Sequence, residues 1–475
     1  MREPQGQASR EWLTNVPHDG IIRYFTFFNR ERLIVYSPKA LADIHTSECY
    51  SFQKPAFLAN QMRVILGNGL LLSEGHDHKV QKKGLMPAFT RRRIDALYPL
   101  FLSKVQETVH AMTTSISKIN NSGQKDMEIT NWASRYALDV IGVAALGKDF
   151  GAIQDDANPL VRTYNAVFKV SKQQRIIFLL NSFLPWWLLN NLPLKHNRDF
   201  SGASDLVRAV CRNIITEKRV KFARTQGTNV DVDVDILSTA IQSGRFTDEG
   251  LIDQAMTFLA AGHETTESSI VWAIYMLSRD RTLQQQLREE IRQNLPPIDS
   301  WNANAQISST DINRLPLLQA ICSETLRFFT PVRLTMREAT QDTYLQGVSI
   351  PRGTKVMISS CATNTDKALW GPNAAEFNPY RWVHSNSDET LGMVPAGGAS
   401  NNYAMLTFSQ GPRSCIGQGF ARAEFACLLA GLIGRYEFRL KDEALMDLAK
   451  VEVGDGITAK PRNGLRVVVR AVPGF

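Results

Sequence analysis

The sequence predicts a mainly α-helical protein with small β-sheets, an α+β fold. Three observations carry that expectation. Helical patterns dominate from about residue 76 to 290. One of them, Leu251–Ser278, forms a single long helical pattern. Strand-like runs are short and lie outside that block. In chain order, Ile21–Phe27 and Arg32–Tyr36 read as strands and Pro38–Thr46 as a short helix. Residues 51–75 are mixed and glycine-bearing, and read as a loop. Residues 225–235 and 296–312 are polar stretches with turn residues, placed as linkers between helices. Pro316–Phe329 is helical and stops before Pro331. Tyr344–Ser360 carries Gly347, Pro351 and Gly353 between β-branched residues, which predicts a small hairpin sheet. Residues 383–402 read as a mobile surface loop. Gln418–Tyr436, rich in Ala and Leu, reads as a helix, and Leu465–Ala471 as a closing strand.

Composition sets outer bounds. The chain has 475 residues, 44% hydrophobic and 21% charged, enough apolar material for a large core. Length alone suggests two or three domains. Six cysteines, at 49, 211, 322, 361, 415 and 427, are scattered without a C-x-x-C pair. That argues against a zinc site and for a reducing compartment. The net charge of +8 suits an anionic protein partner or an anionic membrane surface. Nucleic acid is disfavoured, because no compact basic tract is interleaved with aromatics. No run reaches the ~18 apolar residues of a membrane span. The segment Ile176–Leu194, with Trp186 and Trp187, is apolar but Pro-interrupted. It reads either as a segment dipping into a membrane interface or as an internal core helix.

The most informative stretch is Phe408-Ser-Gln-Gly-Pro-Arg-Ser-Cys-Ile-Gly417. Gly411 and Gly417 let the backbone turn tightly and approach a flat macrocycle. The helix that follows points its N-terminus toward Cys415, which favours thiolate over thiol. A thiolate so presented suits the iron of a heme, where it pushes electron density onto the metal. Upstream, Ala261-Gly262-His263-Glu264-Thr265-Thr266 sits in the middle of the long helical pattern. A glycine and two threonines weaken a helix locally, and threonine hydroxyls bonding backward can bend it. Glu264 and Thr265 pair a carboxylate with a hydroxyl, a combination that can relay protons. His263 is read as structural. Glu324 and Arg327 share one helical face.

The pattern F-x-x-G-x-R-x-C-x-G closely resembles the heme-binding signature of the cytochrome P450 family. The order of the other motifs resembles that family too, including Phe377-Asn-Pro-Tyr-Arg381-Trp382. The resemblance implies one large triangular helical domain over residues 1–475, with heme b between the long central helix and the helix after the cysteine loop. It implies Cys415 as the axial iron ligand, and Glu264 and Thr265 as the proton-delivering acid and alcohol. It places Phe408, Gly411, Arg413 and Gly417 in the heme-binding loop. It implies a buried architectural triad of Glu324, Arg327 and Arg381. Arg337 matches a propionate ligand. His78 and Lys82 stand where many members have Trp and Arg, and can donate to the propionates, Lys82 without a bidentate fork.

What the resemblance implies for function is insertion of one oxygen atom from O2 into a lipophilic small molecule. Electrons would come from NADPH through a separate flavoprotein reductase. Residues 55–75, Leu259–Ala260, the segment after Pro331 and the turn Asp455–Thr458 would wall the substrate pocket, with Val332, Leu334 and Ile457 as apolar candidates. Residues 406–424 look like filamentous-fungal members, many of which tailor secondary metabolites. Eukaryotic members carry an N-terminal anchor, which is expected to lie outside this chain. The full-length protein is then expected at the cytosolic face of the endoplasmic reticulum membrane, as a monomer. An isomerase or dehydratase, or an oxidative cyclase or coupling enzyme, are alternatives on the same scaffold. A heme carrier or sensor is a third, in which an intact proton-delivery motif would be idle.

Overall fold

The computed structural model describes residues 7–117, 123–168, 195–225, 235–301, 307–385, 391–454 and 456–475. The Ile176–Leu194 segment, residues 226–234, 302–306 and 386–390, and Asp455 lie outside the described residues. The chain divides into two compact units. The first is Met1–Gln53, Asp95–Ala133 and Thr265–Phe475; the second is Lys54–Ile94 and Ser134–Glu264.

All described strands belong to the first unit. They are β1 (Ile21–Thr26), β2 (Arg30–Val35), β3 (Phe52–Gln53), β4 (Gln124–Glu128), β5 (Leu334–Ala339), β6 (Thr343–Leu345), β7 (Val348–Ile350), β8 (Lys355–Ser359), β9 (Val383–Ser385), β10 (Leu391–Met393), β11 (Tyr436–Leu440) and β12 (Arg466–Ala471). The main sheet has the order β1-β2-β8-β5-β3, with β2 and β8 parallel and the other pairs antiparallel. A second sheet, β11-β12-β4, uses the predicted closing strand as its centre. β6 and β7 form the expected hairpin, but β8 leaves it for the main sheet. The main sheet's inner face is closed by Val35, Leu41, Ile44, Phe52, Val356 and Ile358.

The helix Gln418–Arg435 is the core of this unit. Every residue from Ala423 to Gly434 is buried, the mark of a helix enclosed on all sides rather than on one stripe. Small residues make that possible: a Cβ on Gly434 would strike the Phe475 ring. The helix Arg281–Asn294 packs beside it, started by Asp280, whose side chain accepts from the Leu283 N–H at 2.9 Å. The helix Pro316–Phe328 begins with proline in its first turn and ends one residue before the predicted stop.

The described part of the second unit is helical. It holds Ala56–Leu66, Gly75–Leu85, Pro159–Phe168, Lys195–Thr225 and Ile236–Gln242, with most of Ile129–Leu146. Two readings from the sequence are corrected. Residues 51–75 contain an eleven-residue helix, Ala56–Leu66, because Pro55 opens a run of good helix formers and Gly67, at φ 65°, closes it. The 383–402 stretch is not all loop: β9 and β10 pair within it.

Candidate active site

Cys415 sits in a tightly specified turn of the first unit. Ser409 and Gly411 take positive φ values of 58° and 70°. Only glycine fits at 411, since a Cβ there would collide with the carbonyl oxygen of His45. A short 3-10 turn, Gly411–Arg413, follows. The Cys415 N–H then donates to the Phe408 carbonyl at 2.8 Å and closes the loop. The Phe408 ring lies against the Arg422 guanidinium, 5.4 Å from carbon to centroid. Among the six cysteines, none in a disulfide, five are buried and Cys415 is exposed. Burial pushes the thiols of Cys211, Cys322 and Cys427 up and so disfavours their thiolates. The helix Gln418–Arg435 begins just past Cys415 with Gly417 as its cap and no side chain on its first N–H groups. Its positive end is left to act on the thiol.

Behind this loop lies a polar network with a buried centre. Glu324 and Arg327 are both 0% exposed. Arg327 donates through Nε and Nη2 to the two Glu324 oxygens, at 2.8 and 2.7 Å. Its remaining N–H groups reach the carbonyls of Asn364, Ala374 and Glu376, at 2.8, 2.7 and 2.8 Å. All five guanidinium donors are thereby used. Arg381 Nε donates to Glu324 at 3.2 Å. Two partners are not evident from the E-x-x-R spacing. The Asn378 N–H and the Trp382 indole also donate to Glu324, at 2.7 and 2.9 Å. The signal for them was the Phe377–Trp382 segment itself, which carries all three donors.

Arg337 lies on β5 opposite Val356 of β8, and its Nη1 donates to the Met336 carbonyl. Close to it is His45, which sequence reasoning did not single out. His45 is buried, with Nδ1 3.2 Å from the Ser409 hydroxyl. Burial, then the positive charge of Arg337, push its imidazole down to about 4.

The long helix, Asp248–Arg279, is α-helical without interruption through Ala261–Thr266. The weak helix formers there do not break it, because burial outweighs propensity. Gly262 has a packing reason: a Cβ would come within 2.7 Å of Ile141. His263 is 0% exposed, with Nε2 2.7 Å from the Ser134 hydroxyl and its ring 5.4 Å from that of Tyr164. It is a packed core histidine. Glu264 is buried and Thr265 partly exposed. Thr266 donates to Glu424 at 3.0 Å, tying the long helix to the helix that follows Cys415. Burial pushes the Glu424 carboxyl well above the usual range, opposed by that hydrogen bond.

His78 and Lys82 lie on the helix Gly75–Leu85 of the second unit, His78 buried and Lys82 partly exposed, while Lys79 and Lys83 are exposed. Of the substrate-wall candidates, Leu259 and Ala260 are buried, Val332 and Leu334 partly so, and Ile457 is 46% exposed. Next to two of the predicted walls, the Ala459 N–H donates to the Pro331 carbonyl at 2.8 Å.

Residues 19–463 match the family model described as cytochrome P450. The chain is 42% identical to cytochrome P450 monooxygenase sphH of Aspergillus fumigatus, over 98% of this chain and 84% of the relative. It is 38% identical to cytochrome P450 monooxygenase FUM15 of Gibberella moniliformis, over 99% and 85% of the two chains. It is 39% identical to cytochrome P450 monooxygenase buaD of Petromyces alliaceus, over 96% and 83%. The chain belongs to the cytochrome P450 family. It is a monooxygenase of that family. Membership implies heme with cysteine thiolate ligation. The donor chemistry fits that group: one exposed thiol at a helix N-terminus, a loop that tolerates no Cβ at Gly411, and cationic Arg337 and Arg413 in the same unit.

Proposed function

We propose that Cys415 would hold a heme b through its thiolate, and that the enzyme inserts one atom of O2 into a lipophilic small molecule. The observation that carries this reading is the exposed Cys415 thiol in its closed turn at the start of an 18-residue helix. When bound, the heme supplies dioxygen binding and activation. The protein's own residues do the rest. The turn holds Cys415 in place, with the positive end of the Gln418–Arg435 helix beside it. Phe408, Gly411 and Gly417 shape the loop. Glu324, Arg327 and Arg381 hold the segment behind it rigid. Arg337 and Arg413 offer cations to the propionates, with His78 and Lys82 as further donors. Thr265 Oγ1 passes a proton toward the dioxygen substrate and is recharged from the Glu264 carboxyl.

The two units act as one catalytic domain. The substrate is a secondary metabolite, in keeping with relatives in Aspergillus, Alternaria and Gibberella. Electrons arrive from NADPH through a separate flavoprotein reductase, drawn by the net charge of +8. In the cell the protein works at the endoplasmic reticulum membrane. No helix among the described residues is long and apolar enough to cross a membrane.

The test is the carbon monoxide spectrum of the reduced, heme-loaded protein. The strongly red-shifted Soret band of thiolate ligation is expected, lost in Cys415→Ala and kept in Cys427→Ala. A Cys415→Ala protein that retains the band would overturn the assignment.

A further inference from the structure

Glu267 directly follows Thr266 on the long helix, and its side chain is 0% exposed. Its partner comes from far along the chain: Lys460 Nζ lies 2.6 Å from the Glu267 carboxylate. Lys460 closes a turn in which Ile457 is the exposed one among the described residues. The base of that turn is pinned at several points. The Gly454 N–H donates to the Lys460 carbonyl at 2.8 Å, and Val453 bridges to Pro461. The Ala459 carbonyl accepts from the Ser268 hydroxyl and the Trp272 indole, at 2.6 and 2.7 Å. The Ala459 N–H donates to the Pro331 carbonyl.

Three side chains of one helix, an acid, the hydroxyl next to it and an indole one turn on, thus grip two consecutive residues of the turn. Two of these grips are neutral hydrogen bonds. The third is an ion pair whose carboxylate is enclosed in the interior. The position of the turn is therefore coupled electrostatically to the helix that carries the acid–alcohol pair.

We propose that the Glu267–Lys460 ion pair is a positioning device for substrate. It fixes the turn against the long helix and the Pro331 segment, and so sets where Ile457 stands in the apolar wall that selects the substrate. This rests on the monooxygenase reading above. Neither residue touches the reacting atoms; both act through Ile457 and Ala459.

The experiment uses the heme-loaded full chain with Lys460→Met, Lys460→Arg and the double variant Glu267→Gln/Lys460→Met. The double variant removes both charges of the ion pair together, so it does not leave the Glu267 carboxylate without its Lys460 partner. Two measurements are made. Amide hydrogen exchange at Ala459 reads the strap without any ligand. Spectral titration with imidazole and with the bulky azole miconazole reads the iron and the wall separately. In the double variant, exchange at Ala459 should quicken by about tenfold. Miconazole affinity should change by about tenfold, with imidazole affinity unmoved, and Lys460→Arg should behave as wild type. Unmoved exchange, or unmoved miconazole affinity in a protein with a normal carbon monoxide band, overturns this role alone. Imidazole shifting in parallel with miconazole also overturns it, since the effect would then be at the iron. A wild-type protein without the thiolate band overturns the monooxygenase reading and this substrate role together.

Discussion

Replacing Arg327 by lysine keeps the buried charge and changes only the geometry of donation. Lysine has three donors where Arg327 uses five, so at least two of the five acceptors lose their partner. Each acceptor left unsatisfied in the interior costs on the order of 1–1.5 kcal/mol, the low end for such groups, because the mobile ammonium can shift among them. The substitution should therefore cost about 2–3 kcal/mol. The damage should concentrate where the network holds the Phe377–Trp382 segment, because Glu324 shares its oxygens between Arg327, Arg381, Trp382 and the Asn378 N–H. Amide hydrogen exchange at Asn378 reads that segment directly. A local loss of 2–3 kcal/mol corresponds to exchange faster by about 30- to 160-fold. Heme retained through purification should fall alongside it. If Asn378 exchanges at the wild-type rate and heme content is unchanged, the fork geometry is not what holds this segment, and the reasoning fails.

Thr265→Ala should lower the ratio of product to NADPH consumed by about tenfold or more, with hydrogen peroxide released instead. Glu264→Gln should do the same, and an unchanged ratio in either would count against the relay. Arg337→Ala should weaken heme retention by roughly thirtyfold, on the order of 2 kcal/mol; Lys82→Ala, a single-point contact, should do less, and the reverse ranking would show the propionate roles exchanged. His45 predicts an acid sensitivity. Its folded value of about 4 lies below the ordinary 6.5, so the unfolded chain takes up the proton first as pH falls. Stability is complete above pH ~6.5 and declines toward pH ~4, by about 3 kcal/mol in all. The unfolding midpoint of His45→Gln should be measurably flatter over that window, and an identical pH profile would show that His45 is not the group.

Much of the chemistry is legible in the chain because it is local. The Phe408–Gly417 loop is one continuous segment, and its glycine at 411 and the helix after it can be placed from residue order alone. The same holds for Ala261–Thr266 and for Glu324 with Arg327 on one helical turn. Other features were not legible because they join residues hundreds of positions apart. Trp382 and the Asn378 N–H on Glu324, Thr266 on Glu424, and Lys460 on Glu267 are of this kind. The helix Ala56–Leu66 was missed for another reason: its glycine-bearing flanks masked eleven residues that are good helix formers inside.

What the sequence determined by itself is the family and the mainly helical α+β fold, since short-range spacing and backbone preference suffice for each. What only tertiary structure decided is which buried charges meet. Gly262 illustrates the division. In the chain it reads as a weak point in a helix, because propensity is a local property. In the fold it lies where Ile141 leaves no room for a Cβ, and the helix continues through it because that packing, with His263 and Glu264 buried beside it, outweighs the ~1 kcal/mol that glycine costs.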